Sequence, residues 1–136
     1  MARIIAMLGV CLVLATGAWA QSAADDAVQD TIQSQIEAFK ADDFDRAFTF
    51  ASPMIQGLFR TPENFGAMVR GGYPMVWRPA QVRYLELREV DGRLWQKVEI
   101  TDASGRVHLL DYQMINFENG WKINGVQLLQ SNDLSA

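Results

Sequence analysis

The chain has 136 residues, 49% of them hydrophobic, with 12 basic against 16 acidic side chains and a single Cys and a single His. That length suits one domain with a core of its own. The acidic balance excludes a general binder of nucleic acid or of anionic membrane surfaces, both of which need basic patches. One histidine among scattered carboxylates gives no metal-ligand spacing, so neither a metal nor another cofactor is expected.

Residues 1–20 read as a signal peptide. Arg3 supplies the positive start, Ile4 to Ala15 an apolar run, and Ala18-Trp19-Ala20 a small-x-small cleavage site with Gln21 as the new N-terminus. The run is too short to span a bilayer comfortably, which takes roughly 20 residues, so no stable membrane span is expected after cleavage. Val10 is too bulky for the residue ahead of a lipidated cysteine at Cys11. The expected product is exported, either periplasmic or secreted. Cleavage would remove Arg3 and Cys11, leaving 11 of the 12 basic residues and no thiol for a disulfide or nucleophile. A single domain over 21–136, with its core at about 25–130, must then be held by packing.

Between Ala24 and Ala41, Val28, Ile32, Ile36 and Phe39 draw one apolar stripe along a helix. Asp25 and Asp26 are placed in its first turn, and Lys40 near its end. Asp42-Asp43 offers a cap for a second helix through Phe44, Ala47, Phe48 and Ala51. These carboxylates could suggest a cation site, but the glycine and terminal glutamate of a calcium loop are missing. Ser52-Pro53 and Thr61-Pro62 each set a capping hydroxyl before a proline at the first helical position. They open a short turn through Met54, Ile55, Leu58 and Phe59, and a helix through Phe65, Met68 and Val69. Gly71-Gly72 ends that helix, and because it does not follow a strand it is no phosphate cradle. Tyr73-Pro74 is a break, and Met75-Val76-Trp77 a short apolar crossing.

From Gln81 the period becomes two. Val82–Val90 and Leu94–Ile100 flank Asp91-Gly92, a hairpin turn. Asp102-Ala103-Ser104-Gly105 is the next turn. A long strand then ends at Phe117, turns at Asn119-Gly120 and returns from Trp121 to Leu129. Consecutive short turns predict a four-stranded antiparallel meander, and helices before strands predict an α+β fold. In the third strand His108, Leu110, Tyr112 and Met114 share the face expected to lie under the helices. Val107, Leu109, Asp111, Gln113 and Ile115 share the other, a mixed face open to self-association as a homodimer.

Four helical segments before a meander that closes on Glu118-Asn-Gly-Trp-Lys-Ile-Asn-Gly-Val126 resemble the nuclear-transport-factor-2-like, cystatin-like superfamily. More closely, the chain resembles a bacterial family known as domain of unknown function 4864. The residues that carry this are Ile32–Phe39, Ala47–Pro53, Thr61–Phe65, Tyr73–Trp77 and the Trp121 segment, which extend over almost all of the domain. The superfamily resemblance implies N-terminal helices on a curved sheet, a cone-shaped and often dimeric fold with its pocket between helices and sheet. Its members include isomerases, dehydratases and cyclases as well as proteins that only bind, so fold alone does not choose among them.

The candidate site residues are His108, Tyr112 and Tyr84 on the strands, and Tyr73 and Trp77 beside the glycine pair. His108 is the one candidate general base, with a tyrosine as hydroxyl donor. Asp111 faces away from it, so no His–Asp111 dyad is expected. The alternative is a hydrogen-bonded histidine beside core tyrosines. Phe59, Phe65, Met68, Tyr73, Met75 and Trp77 suit an adaptable apolar pocket and equally an ordinary core. The leading expectation is a non-catalytic protein that binds a small apolar ligand or a protein partner. The alternatives are a cofactor-free isomerase or hydrolyase using His108, and a homodimer that mediates interactions.

Overall fold

The computed structural model describes residues 16–129. The apolar run of the predicted signal segment therefore lies outside the described residues. Among those described, five helices precede four strands: α1 (Thr16–Lys40), α2 (Phe44–Thr49), α3 (Pro53–Phe59), α4 (Pro62–Gly72), α5 (Pro74–Trp77), β1 (Pro79–Val90), β2 (Arg93–Asp102), β3 (Val107–Phe117) and β4 (Gly120–Leu129). The sheet runs β1-β2-β3-β4 with every neighbouring pair antiparallel, the meander that the turn spacing predicts.

Val28, Ile32, Ile36 and Phe39 are all buried, as their helical stripe requires. The helix starts earlier than predicted, at Thr16, so Asp25 and Asp26 stand well inside it and not at its positive end. Three caps form as read. Asp43, Ser52 and Thr61 each accept, on the side chain, the backbone N–H three residues on, from Arg46, Ile55 and Asn64. The short apolar crossing at Met75-Val76-Trp77 takes the form of one helical turn. Pro74 sits at its start, where the missing N–H costs nothing, and Trp77 and Arg78 close it onto the carbonyls of Tyr73 and Pro74.

The strand turns follow the same local logic. Asp91 and Gly92 both take left-handed backbone, at φ +51° and +76°, as a tight two-residue hairpin demands. At the last turn the expected Asn119-Gly120 pair shifts by one position. Phe117 pairs with Gly120, so Glu118-Asn119 is the loop and Gly120 alone takes positive φ. Three irregularities break the register, at Ala80 and at Leu85-Glu86 in β1 and at Asn124 in β4. Such bulges bend a strand and raise its twist.

One sheet face is covered by the helices. Val98, Ile100, Leu110, Tyr112 and Met114 on it are at most 2% exposed. The other carries ion pairs between Arg83 and Glu99, Lys97 and Glu86, and Arg88 and Asp111. Above the covered face Phe65 gathers the rings of Phe39, Phe48 and Phe59, with centroids 5.4 to 5.8 Å away, in tilted and edge-on arrangements. Ring pairs of this kind add about 0.5–1.5 kcal/mol each beyond the area they bury.

Gly66 lets α4 lie close against α2. A Cβ there would stand 2.6 Å from the Phe44 ring. Gly66→Ala should therefore destabilise the protein by up to about 2 kcal/mol, an overpacking cost of about 1–3 kcal/mol less the roughly 1 kcal/mol that alanine gains in a helix interior. Denaturant unfolding of the variant checks this, and a midpoint at or above wild type would show that Phe44 moves aside freely.

Candidate functional site

The helices do not fill the space above the sheet. A cavity of about 240 Å³ is bounded by Gln35 and Phe39 of α1, Ile55, Leu58 and Phe59 of α3, Phe65, Met68 and Val69 of α4, and Tyr73 and Val76 beside and within α5. Tyr112 of β3 and Ile123, Gly125 and Val126 of β4 complete its wall. The helix α3 has no fully buried residue, and Leu58 is 68% exposed, so this helix edges the cavity on its open side. No charged side chain belongs to the wall.

Three polar residues do. Gln35 is buried and donates from Nε2 to the Ala47 carbonyl, 3.2 Å away. Tyr73 is half-buried. Tyr112 is fully buried, and its hydroxyl has no hydrogen-bond partner among the described residues. Burial drives its ionisation well above the ordinary tyrosine range, with the neighbouring Tyr84 and Tyr73 adding to the effect, so the phenol stays protonated. Across the strand pair from Tyr112 lies Gln96, whose Oε1 is likewise buried and unpartnered. Its Nε2, however, donates to the carbonyls of Leu85 and Lys97 and so pins the β1 bulge.

A second, more open cleft of about 410 Å³ lies between α5 and the β2–β3 turn, bounded by Trp77, Arg78, Asp102, Ser104, Arg106 and His108 among others. Its polar side chains are highly bonded. Asp102 Oδ1 accepts the Ser104 hydroxyl at 2.6 Å and the backbone N–H groups of Ser104 and Arg106, closing the turn. Its Oδ2 lies 2.8 Å from His108 Nε2. The His108 bond, then that of Ser104, holds the Asp102 carboxyl well below the usual carboxylate range. On the other wall Trp77 donates its indole N–H, and Arg78 a two-pronged bond, to Asp42 behind them, and the Arg78 guanidinium stacks 4.1 Å from the Trp77 ring.

The sequence candidates thus separate. Tyr73 and Tyr112 stand on the apolar cavity, with Phe59, Phe65 and Met68 of the aromatic and methionine set. His108, Trp77 and Met75 stand on the polar cleft. Tyr84 borders neither as described; its hydroxyl donates to Gln33 on α1 at 2.8 Å, and burial with the nearby Asp30 and Glu37 charges pushes its ionisation up. Asp111 faces away from His108, as the strand alternation predicts, and pairs with Arg88. The partner of His108 is Asp102, six residues earlier across a turn. Strand register around Asp102-Ala-Ser-Gly105 could have revealed it, because Ile100 pairs with His108 and Asp102, two residues on, is then a diagonal neighbour of His108 on the same face. The Ser104 hydroxyl bonds to the carboxylate and not to the imidazole, so the three do not form a nucleophile–base–acid relay. Among the described residues no group of three or more His, Cys, Asp or Glu could hold a metal ion, and no helix is long and apolar enough to cross a membrane.

Fold and cavity together define an α+β domain in which helices roof one face of an open antiparallel meander. The chain belongs to the family described as Domain of unknown function (DUF4864), whose model matches residues 21–136. No curated protein and no solved structure matches it.

The Asp102 carboxylate yields a signed pH dependence. Its folded-state ionisation lies below the ordinary value of about 3.9, so its contribution is complete above that pH and is lost as pH falls towards the depressed value. Asp102→Asn should lower the unfolding midpoint at pH 6, and the gap to wild type should close as pH drops below about 4. Denaturant unfolding across that range reads both, and a gap independent of pH would remove the carboxylate from the account.

Proposed function

We propose that this DUF4864 protein is an exported, non-catalytic binding protein whose cavity between helices and sheet takes a small, largely apolar ligand. The observation that carries the reading is the cavity itself: some 240 Å³ of space between helices and sheet, with no charged side chain in its wall. A concave, mostly apolar wall with a few polar groups is the form that small-molecule sites take. Export rests on Arg3, the apolar run Ile4–Ala15 and Ala18-Trp19-Ala20. The order of helices and meander, with the Trp121–Val126 segment, supports placement in the nuclear-transport-factor-2-like superfamily as its cone-shaped form. A catalytic reading would need His108 to work with a tyrosine, and the tyrosines that border the cavity stand apart from the cleft that holds the imidazole.

Native mass spectrometry of the protein isolated from its own host tests the proposal. The expected spectrum shows a retained small molecule, and Val126→Phe, which puts a ring into the cavity beside Tyr112, should abolish the extra mass while the domain stays folded. An empty wild-type protein that also takes up no apolar probe would defeat it.

A further inference from the structure

Leu58 belongs to the wall of the apolar cavity, yet it is 68% exposed to solvent. Met54, one turn earlier on α3, is 59% exposed but is not part of that wall. A lone exposed leucine is ordinary on a protein surface. What sets Leu58 apart is the segment that carries it. The first half of α3 is tied down: Ser52 bonds to Ile123 and Asn124, and Gln56 donates to the carbonyls of Phe48 and Ala51.

The second half is held by less. The Phe59 ring packs against Phe65, and Asn64 donates to the Phe59 carbonyl. Gly57 is exposed, and a Cβ there would meet nothing within 4 Å, so no close packing accounts for a glycine that weakens a helix interior. At the far end Arg60 takes φ +72° and ψ −43°, and the Thr61 N–H reaches the Phe59 carbonyl at 2.9 Å. That is a γ-turn of the positive-φ kind, which is strained for a residue with a Cβ. A glycine at one end and a strained turn at the other leave these residues at the low end of local stability, from which segments that close over ligands are drawn. We propose that Gly57–Phe59 is a flap that folds onto the occupant of the cavity, hinged at Gly57 and Arg60, with Leu58 the side chain it brings onto the ligand. Closure exchanges the exposed surface of Leu58 for contact with apolar ligand, so this leucine adds to binding and not to the stability of the free protein. The inference rests on the reading of the cavity as a ligand site and adds the part of the chain that closes it.

Titration of the full-length protein with naphthalene, followed by the fluorescence of the probe, tests this. Roughly 150 Å³ of apolar cavity holds benzene, so about 240 Å³ leaves room for two fused rings. Leu58→Ala should weaken naphthalene binding about 5- to 20-fold, the effect of losing most of a leucine's newly covered surface, and leave the melting temperature unchanged. Met54→Ala, the same kind of truncation on the same helix but outside the wall, should change neither. In wild type, saturating naphthalene should slow hydrogen exchange of the Arg60 and Thr61 amides, which flank the strained turn, at least about 5-fold. A lowered melting temperature in Leu58→Ala would make the leucine structural and overturn its assignment to the ligand. Equal losses of affinity in Leu58→Ala and Met54→Ala would overturn it too. Naphthalene binding that leaves the Arg60 and Thr61 amides unprotected would overturn the flap and leave the cavity a ligand site. Failure of naphthalene to bind wild type would overturn this inference and the ligand-site reading together.

Discussion

The structure depends on one joint, where the chain between α2 and α3 meets the last strand. Ile123 exchanges backbone bonds with this segment, donating to the Phe50 carbonyl at 2.9 Å and accepting from the Ser52 N–H at 2.8 Å. A short parallel bridge, Ala51 to Ile123, results at an otherwise open sheet edge. Ser52 is fully buried and works twice there. Its oxygen accepts the Ile55 N–H that starts α3, and its hydroxyl donates to Asn124 Oδ1 at 2.8 Å. Asn124 is the extra residue of the β4 bulge, and its amide passes the chain of bonds on to Gln113 of β3 at 2.6 Å. The start of α3 is therefore fixed to the sheet by polar bonds, and its body need not be buried to be held.

That division of labour explains why there is a cavity at all. Elsewhere the helices are held by burial: α1 through Val28, Ile32 and Ile36, and α4 through Phe65, Gly66 and Val69. The Phe65 ring cluster ties α1, α2, α3 and α4 to one another above the sheet. The helix α3 offers Ile55 and Phe59 to the interior but leaves Met54 and Leu58 largely in solvent. Anchored at its N-terminus by Ser52 and braced by Gln56, which donates to the Phe48 and Ala51 carbonyls, it edges the space without filling it.

What was legible in the sequence is what acts over a few residues. The stripe of Val28, Ile32, Ile36 and Phe39, the Ser-Pro and Thr-Pro caps, the Asp91-Gly92 hairpin and the assignment of Tyr112 and Met114 to the covered face all follow from local periodicity and backbone preference. The partnerships were not legible. Ser52 reads as a cap, but its bond to Asn124 joins positions 72 apart and exists only because a bulge turns that asparagine inward. Asp102 reads as a turn residue, and its bond to His108 needs the strand register. The cavity is hardest of all, since Phe59, Phe65, Met68 and Tyr73 have the same composition whether a core closes over them or stops short. The start of α1 is a different case: the structure begins the helix at Thr16, inside residues 1–20 that the sequence reads as a signal peptide.

The two hollows differ in a way that bears on function. In the cleft that holds His108, the side chains largely satisfy one another. Asp102 uses both oxygens within the turn and on the imidazole, and Asp42 takes Trp77 and Arg78 together. The Arg78 guanidinium also caps the end of α1 through the Phe39 carbonyl, at 2.8 Å. Such a network fixes the geometry of the α1–α2 break, where Asp42 sits at φ +54°, and a ligand would have to compete with bonds already made. In the apolar cavity the balance is reversed. Its wall carries no charged side chain, and the polar group there with a side-chain bond, Gln35, spends it on the Ala47 carbonyl. The chain's sole histidine draws the eye in the sequence, but in this fold its imidazole is already engaged by Asp102, whereas the wall that includes Phe59, Phe65 and Val126 carries no charged side chain.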